Sequence, residues 1–144
     1  MPAPSALRDR LAAAGRELGA REASNEAARE EAWKRASALR RTVAEAIEAF
    51  HAAAAQAGAP HLRVDLGEAR TDDKHLRSVQ FDLTRGRHRA IVTVKSRGEV
   101  TLVGPFQAGK TEGPCKSFPF DAEAELGDAL AEFLERFLSE AATP

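Results

Sequence analysis

The residues whose spacing points most directly to chemistry are Gly104, Gly109, Lys110 and Thr111. They stand in the order G-x-x-x-x-G-K-T, directly after an apolar run. In that pattern successive backbone N–H groups wrap a phosphate, the lysine neutralises its outer oxygens and the threonine hydroxyl holds Mg²⁺. The arrangement requires the loop to open a helix, whose N-terminal N–H groups then face the anion. Here the next residues run Glu112-Gly-Pro-Cys-Lys-Ser-Phe-Pro119, and such a stretch does not form a helix.

These eight residues resemble the phosphate-binding loop of the P-loop NTPases, and the resemblance covers no other part of the chain. It implies a bound nucleotide, with Lys110 on its phosphates and Thr111 on Mg²⁺. The surroundings argue the other way. That loop belongs on a parallel sheet, whereas the sheet read below is antiparallel. Only 33 residues follow Thr111, with no later strand to supply an acidic partner for the metal. The reading kept is narrower: Gly109, Lys110 and Thr111 are candidates to bind an anion, with Lys116 nearby, and nucleotide handling ranks last among the functions considered.

Other reactive side chains carry weaker patterns. Cys115 is the only cysteine, so it has no internal disulfide partner. A nucleophilic thiol also needs a base, and no local signature selects one among His51, His61, His75 and His88. Cys115 reads as a free thiol in a loop. The histidines lack ligand spacing such as H-x₃₋₅-H, so no metal or other cofactor is expected. Asp72 and Asp73 fall in a polar stretch and read as solvated.

The basic residues have more order. Arg85, Arg87, Arg89 and Arg97 fall at strand tips and turns, with Arg63 and Lys95 on the predicted polar face of the sheet. A basic antiparallel sheet is one route to nucleic acid, but an RNA-reading sheet also displays aromatic rings for base stacking. Phe81 and Phe106 fall on the predicted buried parity, and the chain has no tyrosine. The arginines therefore read first as charged protection of strand tips and edges, and second as a nucleic-acid contact.

The elements that position these residues follow from periodicity. Val79, Phe81 and Leu83 alternate with Gln80, Asp82 and Thr84, and Ala90, Val92 and Val94 with Arg89, Ile91, Thr93 and Lys95. A period of two places each set on one face of a strand. Turns at Arg85-Gly86-Arg87 and Arg97-Gly98 are too short for a crossover, so residues 76–106 form an antiparallel meander. Residues 61–66 alternate similarly and predict a fourth strand. Residues 67–74 are expected to be a polar loop, and residues 107–119 a Gly/Pro-rich loop.

Residues 5–57 are rich in Ala, Glu and Arg, and proline is absent between Pro4 and Pro60. Leu7, Leu11, Ala14 and Leu18 step by four, three and four. Trp33, Ala36, Val43, Ile47, Phe50, Ala54 and Ala57 continue the stripe, interrupted by Arg40. Residues 20–32 carry one apolar side-chain type, alanine, and Gly15 and Gly19 each cost about 1 kcal/mol in a helix. Two pieces are expected: a short N-terminal helix capped by Ser5, and a long helix over residues 24–57. The domain reading is an arm over 1–23 and a single domain over 24–144. Gly58 and Pro60 end the long helix. A second helix begins near Asp121 as N-cap, with Leu126, Leu130, Phe133, Leu134, Phe137 and Leu138 on one face.

Bulk properties narrow the class. Of 144 residues, 43% are hydrophobic and 30% charged, with a formal net charge of −1. The charge is uneven: residues 61–120 carry +4 and residues 121–144 carry −6. This is short of a dedicated nucleic-acid binder's basic footprint. No apolar run reaches the ~18 residues of a membrane span, and the first residues lack a signal peptide's apolar core. A cytoplasmic location is expected.

The expectation is an α+β, two-layer fold: a four-stranded antiparallel sheet with a long N-terminal helix and a C-terminal amphipathic helix on one face. The expected function is a non-enzymatic binding or assembly module. It would use the N-terminal helix, the polar sheet face and the 107–119 loop, with a protein partner or a second copy. Lys110, Thr111, Lys116, Arg85, Arg87 and Arg89 are the candidate contact residues. Nucleic-acid binding through the basic strand tips is the alternative.

Overall fold

The computed structural model describes residues 3–71, 78–107, 109 and 113–142. Helix α1 (Pro4–Gln56) is followed by strands β1 (Asp65–Leu66), β2 (Arg70–Thr71), β3 (Ser78–Arg85), β4 (His88–Lys95), β5 (Glu99–Gln107) and β6 (Cys115–Pro119), and by helix α2 (Glu123–Ala141). The fold is α+β. The sheet runs β1-β3-β4-β5-β6, with β2 also paired to β3, and every pairing is antiparallel. Both helices pack on one face, α1 over β3 and β4, α2 over β4, β5 and β6.

The meander follows its alternation. Val79 opposes Val94, Phe81 opposes Val92 and Leu83 opposes Ala90, and all six side chains are buried. Val100 and Leu102 extend the same layer on β5. From above, α1 contributes Ala32, Ala36, Val43 and Ile47, and α2 contributes Leu126, Leu130, Phe133, Leu134, Phe137 and Ala141. The sheet's other face has no helix on it among the described residues. No helix among those residues is long and apolar enough to cross a membrane.

Several local expectations differ. Helix α1 is continuous through Gly15 and Gly19, because the surrounding Ala, Glu and Arg residues favour helix and no proline interrupts them. Its N-cap is Ala3 rather than Ser5, and Pro4 takes the first turn, where its missing N–H is not needed. Residues 61–66 contribute only Asp65–Leu66 to the sheet, and the predicted polar loop contains β2. The predicted loop over 107–119 contains β6, whose Cys115, Lys116 and Ser117 are exposed. A short exposed edge strand has no apolar alternation to reveal it. Asp121 does not cap α2: its N-cap is Ala122, which makes no side-chain cap bond.

The α1 C-terminus ends as expected. Gly58 adopts φ +97°. The Gly58 N–H bonds the Ala55 carbonyl and the Ala59 N–H bonds the Ala54 carbonyl, the paired bonds of a Schellman motif.

Candidate functional site

Three surfaces could carry function: the N-terminal half of α1, the open face of the sheet, and a groove between β6 and α2.

The first is the arm. From residue 3 to residue 24 every side chain is exposed except the half-buried Ala14. Leu7, Leu11 and Leu18 are 49%, 63% and 58% exposed. This stretch adds about 30 Å of helix at 1.5 Å per residue. Its seam continues into the body through Asn25, Ala28 and Ala32, which become progressively enclosed. Where α1 meets the sheet, polar groups fix its position. The Arg35 guanidinium stacks 4.9 Å from the Phe120 ring centroid. Arg40 Nε donates to the Gly67 carbonyl at 2.9 Å, so the residue that interrupts the apolar stripe is a fastener for the chain after β1. His51 is buried, and its Nε2 accepts the Val64 N–H at 2.9 Å. Its protonated nitrogen is then Nδ1, 3.4 Å from Glu48 Oε1.

The second surface is the open face. Asp82 sits at its centre. Its carboxylate lies 2.9 Å from Arg89 and 3.4 Å from Arg70. Ile91, Val103 and Phe106 share this face with them by register, and all three are half-buried. Phe106 was expected on the buried parity, and the register corrects this. Between Arg89 and Ile91 the β4–β5 pairing slips by one residue at Gly104-Pro105, where Gly104 takes φ +111°. A bulge of one residue reverses every later side chain. Phe106 therefore stands beside Arg89, opposite the core. Gly113 packs against its ring: a Cβ there would lie 3.1 Å from the Phe106 Cβ.

The candidate basic residues separate. Arg85, Arg87 and Arg89 do gather at the β3–β4 turn. Arg85 is half-buried: its Nε donates to the Ala141 carbonyl at 3.1 Å, and its Nη1 to the carbonyls of His61 and Arg63 at 3.2 and 3.3 Å. It ties the end of α2 to the segment before β1. Arg89 is paired with Asp82, and Arg87 is exposed at the turn. Lys110 and Thr111 lie outside the described residues. Gly104 lies within β5 rather than at the start of a helix, and β5 pairs antiparallel with β6.

Lys116 leads to the third surface. It opposes Leu102, on the helical side of the sheet. There it lines a groove of about 340 Å³ with Leu102, Phe118, Ala129 and Phe133, rimmed by Glu125, Asp128 and Glu132. The three carboxylates stand at i, i+3 and i+7 of α2, a spacing visible in the sequence. What they face depends on β6, which has no alternation to announce it. Among the described residues no three His, Cys, Asp or Glu side chains converge as metal ligands.

Comparison with known proteins found no matching family model, and no match among curated proteins or solved structures.

Proposed function

We propose that this protein is a non-catalytic assembly module that pairs through the exposed seam of α1. The carrying observation is the exposure of Leu7, Leu11 and Leu18 on one continuous helix. Fully burying a leucine is worth roughly 1.5–3 kcal/mol, so covering all three favours association by several kcal/mol before ordering costs. Their 4-3-4 stepping with Ala14 makes a narrow seam, which suits one partner helix rather than a broad surface. The flanks carry Arg8, Asp9, Arg10, Arg16, Glu17, Arg21 and Glu22, and this mixture of signs supports pairing with a second copy.

Light scattering across a concentration series tests it. The full chain should exceed its monomer mass of 15.5 kDa, and the triple variant Leu7→Ser, Leu11→Ser, Leu18→Ser should return to it without loss of fold. A full chain that stays monomeric throughout rules out self-pairing. If the triple variant also retains the same proteins from an extract as the unmodified chain, the seam has no partner role.

The alternative, nucleic-acid binding at the strand tips, draws less support. Arg85 and Arg89 are occupied by carbonyls and by Asp82. Phe106, now on the open face, is the observation that favours it. Binding of a single-stranded oligonucleotide that weakens steeply with salt, and is lost in Arg87→Ala with Phe106→Ala, would establish it. No salt-dependent binding dismisses it.

A further inference from the structure

Strand β6 ends the sheet, and the bonding pattern distinguishes its two sides. The Gly104 N–H donates to the Pro114 carbonyl at 2.7 Å, and the Phe120 N–H to the Gly98 carbonyl at 2.8 Å. Both pairs continue the register that sets Lys116 opposite Leu102 and Phe118 opposite Val100. In an antiparallel ladder, bonded and non-bonded pairs alternate. The backbone groups of Lys116 and Phe118 therefore turn toward β5. Those of Cys115 and Ser117 turn outward, as does the carbonyl of Pro119. An outward row of this kind is a template for another strand.

The groove described above runs beside that edge. Side chains of an added strand would alternate between the open face and the helical side. Those on the helical side would enter the space between β6 and α2. Its floor is Leu102, Phe118 and Phe133, and Ala129 leaves room above them. About 340 Å³ is at the small end of ligand sites, the size of one or two side chains. The α2 wall carries Glu125, Asp128 and Glu132, with Arg136 one turn further along the same stripe and Lys116 on the β6 side; Arg136 is already held by Glu140 at 3.3 Å.

We propose that β6 and α2 together bind an extended peptide, added to the sheet at β6. It places a bulky apolar side chain on Phe118 and Phe133, and a lysine or arginine two residues away against Glu125, Asp128 and Glu132. The recognition is strand addition, in which main-chain bonds give affinity and alternate side chains give specificity. This site is separate from the α1 seam and stands whether or not that seam pairs.

The test uses fluorescence anisotropy with the full chain and end-blocked octapeptides. In these, threonine alternates with one apolar residue (Leu, Val or Phe) and one basic residue (Lys or Arg). At least one should bind saturably. Replacing its basic residues with Glu should weaken binding about tenfold or more, as should N-methylating alternate amides. In the protein, Ser117→Pro removes an outward N–H without touching the β5 ladder, and should abolish binding. Ser117→Ala is its control, since that hydroxyl lies 2.9 Å from Thr101 Oγ1. The double variant Asp128→Lys, Glu132→Lys alters exposed residues and should reverse the preference to the Glu peptides; it decides the matter if Ser117→Pro does not fold. Absence of binding across the set overturns the proposal. So does binding indifferent to N-methylation, or a charge preference that the double variant leaves unchanged.

Discussion

The two halves of α1 share one continuous backbone and an alanine-rich composition, yet they end in opposite environments. The body half buries Ala32 and Ala36 at 1% and 0% exposure, while the arm leaves its three leucines largely in water. Side-chain hydrophobicity alone predicts the reverse. The difference lies in what each half meets. Alanines let α1 approach β3 and β4 closely, and the large side chains beneath it come from the sheet. The arm has an apolar seam of its own, and nothing among the described residues is set against it. A helical stripe therefore marks a surface that prefers cover, and the rest of the molecule decides whether cover is present.

The comparison can be broken most severely in the body half. Ile47→Asp places an unpaired charge in the core and should abolish cooperative thermal unfolding. Leu11→Asp on the arm, compared with the unmodified chain at a dilution where both are monomeric, should leave the melting temperature within about a degree, since surface changes stay near ±0.5 kcal/mol. If Leu11→Asp destabilised the monomer, the arm would have to fold back on the body. Next in size is His51→Leu. It leaves the Val64 N–H buried without an acceptor, at a cost of about 1–3 kcal/mol by denaturant unfolding. An unchanged midpoint would mean that this N–H reaches water.

A smaller loss is expected from Arg40→Met, which keeps the aliphatic stem but removes the bond to the Gly67 carbonyl. About 1 kcal/mol should be lost, with hydrogen exchange quickening around β1 and β2. The smallest effect on global stability should come from Gly15→Ala with Gly19→Ala. Neither position has an atom within 4 Å of a new Cβ. Each substitution favours the arm helix by about 1 kcal/mol. Slower amide exchange in the arm, with an unchanged global melt, would sharpen the contrast between the halves.

The fold was legible where periodicity was strong. Val79, Phe81, Leu83, Val92 and Val94 announced the central strands through alternation, and the leucines and phenylalanines of α2 announced its buried face. The misses share a cause: their signals were too short or were cancelled. Strand β1 was expected over residues 61–66, of which only Asp65–Leu66 pair, and β2 is two residues, below any usable pattern. β6 is five residues, mostly exposed, and ends in proline. The bulge at Gly104 sits inside a glycine spacing that attracts a phosphate-loop reading, so its structural role was hidden, and with it the face of Phe106. Of the six candidate contact residues, Lys116 lines the groove, and Arg85 and Arg89 are engaged in internal bonds. Arg87 stands free of any such bond among the described residues.

By itself the sequence determined what local rules control. The helical stretches follow from Ala, Glu and Arg without proline. The antiparallel order follows from turns too short for a crossover. The end of α1 follows from Gly58, which takes a positive φ at little cost. Tertiary structure alone decided the relations between distant residues. Arg40 finding the Gly67 carbonyl, Arg85 closing α2 onto the segment before β1, and Glu125, Asp128 and Glu132 facing β6 each join residues far apart in the chain. Such contacts depend on packing geometry, which no window of local sequence contains.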